Sequence, residues 1–360
     1  MTTDREIWSL YDRAGELPKQ SEVALSLLEQ AVRLADVASD VPVAWDMRKR
    51  LIERCLFTQT WDRFFVHFAW MVARHDEEPA RYTTHTILWH YKWAIESCLL
   101  DPNVSAARVD GLLDDFERRL REAGHSLRTV HHMRHYRARA FGDHDALARH
   151  LEGWRDGRRD RMSDCLVCEL DQMGQSLLVL DRAEEALELF ASILGHPQPC
   201  AEVPAVTRGN MLHPLWARRE RRRASALHRR GYEDVRRTKF LDAQVKHLAY
   251  EAARFTDEGV LLAMIERHLP AGVEQLAAPR LELYRATAFG LRRIAARRAT
   301  VPLRLPEPLA VPSEGGHIEL SALLRRLDEE IAALGDAFDR RHGNRNERDR
   351  TERYEALWAR

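Results

Sequence analysis

Residues 168–197 read CELDQMGQSLLVLDRAEEALELFASILGHP. The second half, Glu184–Leu194, places Leu187, Phe190, Ile193 and Leu194 three or four positions apart, which gathers them on one face of a helix. A polar turn precedes it, and before the turn runs a second apolar stretch containing Gly174. Gly174 and Ala186 carry so little bulk that two antiparallel helices can approach closely through them, while Phe190 fills the groove toward the next pair. The stretch predicts one helix hairpin.

Working outward, helix-period runs follow one another from about residue 5 to about residue 298, broken by short segments rich in Asp, Gly or Pro. Val260–Leu269 repeats the pattern with Leu261, Met264, Ile265 and Leu269. No segment alternates convincingly with period two, so the fold class is all-α. Phe64, Ala106, Ala146, Ala186 and Ala224 each stand a few positions into a helix that follows a polar turn, at spacings of 42, 40, 40 and 38. A helix pair with its turns needs about that length, which predicts an α-solenoid of stacked antiparallel hairpins.

The hairpin at 168–197 resembles a tetratricopeptide repeat. Met173-Gly174 occupy the Leu-Gly positions, Leu177 the aromatic position, Ala186 the small residue of the second helix and Phe190 its aromatic, and Pro197 falls one short of the terminal proline. Elsewhere the match is looser: bulky Phe64 stands where a small residue belongs, and the spacing exceeds the usual period of about 34. Degenerate repeats with longer helices follow from that departure. More broadly, CLVC through Cys200, HRRGYEDV, FLDAQVKHLAY, LLAMIERHLP and FDRRHGNRNERDR resemble a group of bacterial tetratricopeptide-repeat proteins from arginine-rich, high-GC genomes. The resemblance covers roughly residues 165–345, supports the repeat fold and leaves the activity open; the helix-period runs place the repeat array at 1–298.

Charge narrows the partners. Lys and Arg number 56 against 56 Asp and Glu, and only five of the basic residues are lysines. A neutral chain is a poor match for a nucleic-acid binder. The N-terminal twenty residues are charged throughout, without the apolar core of a signal peptide. Cys55–Arg74, the most apolar-looking run, is interrupted by Asp62, Arg63 and His67, so no membrane span is expected. Five cysteines, an odd number, fit a reducing compartment, and the expected location is cytoplasmic.

After the array, residues 299–317 carry Pro302, Pro306, Pro308 and Pro312 with Gly315-Gly316 and read as an extended linker. The segment 318–360 reads as an amphipathic helix and a charged tail. Leu320, Leu324, Leu327, Ile331, Leu334 and Phe338 form its seam, which either caps the array or pairs with another chain as a homo-oligomer contact. Residues 340–360 are charged enough to fray.

Cys165-x-x-Cys168 and Cys200 have metal-like spacing. A hairpin returns the chain to the same end, so the three thiols should converge, and His196 or His213 could complete a Cys3His set for a structural zinc. Apolar core cysteines and a redox pair are the competing readings. His131 and His135 stand four apart, the separation of two ligands on one helical face, but no HExxH glutamate accompanies them and they read better as surface or hydrogen-bonded side chains. His228, His247 and His268 each read as solitary. The arginines of residues 218–237, with Trp216 and Tyr232 among them, read as a solvated and internally paired helix surface.

Dinucleotide, phosphate-loop, nucleophile-elbow and kinase signatures are all missing, so no enzyme is expected. The expected function is a scaffold that binds a protein, peptide or partner helix along the first helices of the hairpins, with Trp89, His131, His135, Arg218 and Arg222 as contacts. The alternative is a regulatory sensor that binds a small molecule or signalling peptide and relays it to a partner. A third reading places an enzyme around a metal at the three cysteines.

Overall fold

A computed structural model describes residues 2–197, 200 and 202–359, among which lie eighteen α-helices and three very short strands. The chain is all-α, with helix pairs that pack in sequence as in a solenoid. Two compact units divide it: Met1–Ser97 with Asp114–His125, and Cys98–Leu113 with Ser126–Arg360. No helix among the described residues is long and apolar enough to cross a membrane.

The first unit holds α1 (Thr2–Glu16), α2 (Glu22–Val37), α3 (Val41–Thr58), α4 (Trp61–Glu77) and most of α5 (Thr84–Leu99). Its helices start where the sequence offers caps: Ser21 Oγ accepts from Ala24 N, and Asp40 Oδ1 from Val43 N with Pro42 in the first turn of α3. α1 through α4 pack each on the next. Buried Arg54 donates to the carbonyls of Ala14, Leu17 and Pro18, satisfying groups that the end of α1 leaves open. α6 (Ala106–Glu122) follows α5, and Arg119 on it forks onto Asp76 of α4.

The second unit is a row of hairpins. They are α7 (Arg128–Phe141) with α8 (His144–Asp156), and α9 (Leu166–Val179) with α10 (Ala183–Leu194). Then come the short α11 (Ala205–Asn210) and α12 (Leu212–Ala217), which together face α13 (Arg221–Val235), and α14 (Leu241–Arg254) with α15 (Glu258–Val273). α16 (Ala277–Ala295) packs on both α14 and α15. The expected ladder of packing residues falls on second helices. Phe64 in α4, Ala146 in α8, Ala186 in α10 and Ala224 in α13 are buried, whereas Ala106, which opens α6, is half-buried and leaves the packing to Val109, Leu113 and Phe116. Gly174 is indispensable in α9: a Cβ there would stand 2.4 Å from the Phe190 ring of α10.

Residues 299–317 do not form an extended linker. β1 (Thr300–Pro302), β2 (Ser313–Glu314) and β3 (His317–Glu319) make a three-stranded antiparallel sheet in the order β1-β3-β2, with Val301 opposite Ile318. Gly315 and Gly316, both at positive φ, supply the two-residue turn between β2 and β3. Val301, Leu309 and Ile318 are buried, so the prolines shape a folded cover.

α17 (Leu320–His342) then lays its seam on α16, burying Leu320, Leu323, Leu327, Ile331 and Phe338. The last residues do not fray. Gly343, at φ 69°, ends α17, and α18 (Asn346–Trp358) turns back against the unit. Asp339 starts it, accepting from the backbone N–H of Glu347 at 2.8 Å and Arg348 at 3.1 Å.

Candidate functional site

The first helices of the hairpins in the second unit are joined side by side through buried polar groups. His135 Nε2 of α7 meets Ser176 Oγ of α9 at 2.8 Å, and Arg139 donates to Gln172. Asp171 of α9, only 2% exposed, accepts from Thr207 Oγ1 at 2.6 Å and from Asn210 Nδ2 at 2.9 and 3.0 Å, both on α11. Burial raises the Asp171 pKa, and the donors from Thr207, Asn210 and Gln175 with the charge of Lys246 pull it back. Lys246 of α14 closes the row on Asn210 Oδ1 at 2.6 Å. Such buried polar contacts fix the register of each helix on the next, because a slip would leave groups such as Asp171 unsatisfied.

α18 lies against α12, α14 and α16, and the turn before it reaches the end of α7. At its start, Asn344 donates to the Phe141 carbonyl and Asn346 packs so closely on Gly142 that a Cβ there would stand 2.6 Å from the amide carbon. In the middle, Arg285 of α16, 2% exposed, reaches Glu347 Oε2 at 2.9 Å, the Glu347 carbonyl at 2.7 Å and Thr351 Oγ1 at 2.7 and 2.9 Å. Arg350 pairs with Glu282, Arg292 with Glu355, and Tyr354 packs edge-on against Phe289. At its end, Trp216 Nε1 of α12 donates to the Trp358 carbonyl at 2.9 Å, and His213 meets the Trp358 ring edge-on. Burial would raise the pKa of Glu347, but the charges of Arg350 and Arg285 hold it below the ordinary glutamate value. A helix with almost no apolar face is thus held mainly by charge-assisted hydrogen bonds.

The α9/α10 hairpin brings Cys165, Cys168 and Cys200 together, their Sγ atoms all within 4.8 Å of one another and Cys168 to Cys200 at 3.3 Å. Cys165 is the N-cap residue of α9, Cys168 lies in its first turn, and Cys200 follows α10. Burial raises the Cys165 and Cys168 thiol pKa values, and the neighbouring thiols raise that of Cys168 further; for Cys200 burial is outweighed by hydrogen bonds from the Glu202 backbone and from the neighbouring thiols, which lower it. His196 is half-buried and stands outside this set of three, while His213 is engaged with α18.

The other sequence candidates scatter. His135 is no surface contact: it is wholly buried, with Nδ1 on the His132 carbonyl at 2.7 Å, and burial drives its pKa down to about 3. His131 instead meets His150, Nδ1 to Nδ1 at 3.1 Å, so the two residues do not turn to a common ion. Trp89 is half-buried in the first unit beneath the ammonium of Lys92. Arg218, at the end of α12, is exposed and paired with Glu184 and Glu220, and Arg222 is exposed in the first turn of α13. Arg221 stacks on the Trp216 ring at 3.3 Å.

Sequence reading missed a histidine cluster. His228 Nδ1 of α13 and His247 Nδ1 of α14 are 3.1 Å apart, His228 Nε2 is 3.3 Å from buried Glu251, and His268 of α15 meets the Tyr232 hydroxyl at 3.0 Å. Burial and the facing charges of His228 and Lys246 push His247 well below its usual pKa. Each histidine looked solitary because its polar partners lie 19 or more residues away; Gly231, whose Cβ would crowd His247 at 2.9 Å, was a local sign of a close approach. No family model matches the chain, and no curated protein is similar to it.

Proposed function

We propose that this chain is a tetratricopeptide-like binding scaffold, not an enzyme, whose row of first helices accepts a charged helix from a partner protein. The observation that supports this reading is α18 itself: a helix with little apolar surface lies across α12, α14 and α16 and is gripped from Asn344 to Trp358. A partner helix with an acidic residue at its start and a tryptophan at its end would find the same grips, Arg285 for the carboxylate and the His213–Trp216 corner for the ring. The scaffold then works by exchange. Because α18 is tethered through a very short connection, its effective concentration at the row is on the order of millimolar or higher, so a partner must bind more tightly than α18 or arrive when α18 is loosened.

A labelled peptide of residues 344–360 tests the reading against the full chain. The double variant E347Q/W358A loosens the resident helix and leaves the row intact. The peptide is expected to bind that variant at least about tenfold more tightly than the unaltered chain. Equal binding to both, or none to either, would remove the exchange.

A further inference from the structure

We infer that Cys165, Cys168 and Cys200 form a zinc site of three thiolates whose fourth position is open to solvent. A tetrahedral zinc with Zn–S bonds of about 2.3 Å holds its sulfurs about 3.8 Å apart. The 3.3 Å between Cys168 and Cys200 and the 4.8 Å limit on all three pairs bracket that separation. The sulfur separations therefore need to change by no more than about 1 Å to close on the ion.

Two further observations belong to a metal site rather than to core packing. First, the other two cysteines, Cys55 and Cys98, are buried, whereas Cys165 is exposed and Cys168 and Cys200 are half-buried. Second, Cys165 occupies the N-cap of α9, where Ser, Thr, Asp or Asn would serve the helix better, and makes no cap hydrogen bond. A single disulfide between Cys168 and Cys200 would use two of the sulfurs and leave the third unexplained.

Zinc would join the first turn of α9 to the segment after α10, closing the hairpin at its open end. Binding converts the thiols to thiolates and releases their protons, so affinity should fall in acid. The inference does not depend on the exchange at α18, since it concerns another end of another hairpin.

The test uses the full chain, reduced and metal-free, titrated with cobalt(II) alone and then with zinc(II). One equivalent of cobalt should give a thiolate-to-metal charge-transfer band that zinc abolishes. C165S changes an exposed side chain and should keep the helical circular dichroism while losing the band and more than about tenfold in zinc affinity. The inference is overturned if the reduced chain takes up no stoichiometric metal, if C165S keeps the band, or if the thiols close to a disulfide in the presence of zinc.

Discussion

α17 and α18 are consecutive helices on the same unit, yet they are held by opposite means. α17 buries a leucine seam on α16, with Leu323 and Leu327 fully enclosed. α18 buries Glu347 and Trp358 and otherwise presents charge, and its anchor is Arg285. An apolar seam is non-directional and adds stability in proportion to its area. An ion-pair dock is directional and has to offset the cost of desolvating each charge, so its net strength is modest and depends on both partners being present. The difference suits α17 to permanent attachment and α18 to release.

Substitutions can break this contrast. Leu327→Ala should cost about 3–4 kcal/mol and lower the cooperative unfolding midpoint of the whole second unit, read by denaturant titration. Loss confined to the C-terminal residues would contradict the assigned role of the seam. Arg285→Met leaves the Glu347 carboxylate with Arg350 as its remaining cation and removes the hydrogen bonds to the Glu347 carbonyl and Thr351, and should weaken α18 docking by about 2–3 kcal/mol, seen as faster hydrogen exchange at residues 346–358 with the seam still protected. The double variant R285M/E347L, which removes both charges, should recover much of that loss.

Acid sharpens the contrast further. The folded pKa of Glu347 is depressed, so the unfolded or detached state binds its proton more readily. Its contribution is therefore complete above the ordinary glutamate pKa of about 4.5 and is lost as pH falls from there through the folded value. Exchange measured across that window should show α18 detaching before α17. The smallest effect belongs to salt: the exposed pairs Arg292–Glu355 and Arg350–Glu282 are worth about 0.2–1 kcal/mol each, and 1 M salt should speed α18 exchange slightly and leave α17 unchanged.

The same contrast explains what could be read in advance. The seam of α17 was visible because leucines at three- and four-residue spacing announce a buried face, although Leu323 rather than Leu324 lies deepest. The charged end looked unable to fold because nothing local could reveal that Arg285, more than sixty residues earlier, would donate to Glu347 and Thr351. Similarly, the three thiols could be expected to meet because a hairpin returns the chain to its starting end. His135 could not be placed, since its burial depends on Ser176 and Trp154 from other helices.

By itself, the sequence determined the all-α class, the hairpin period and the meeting of the cysteines, because helical periodicity and chain reversal are local and leave a regular trace in residue order. Only the tertiary structure decided that the Pro-rich segment forms a small sheet, that the three histidine-bearing helices α13, α14 and α15 share polar contacts, and that the last helix lies on α12, α14 and α16. Those outcomes depend on complementarity between distant groups, in which each charge or ring acquires its meaning from the partner it meets.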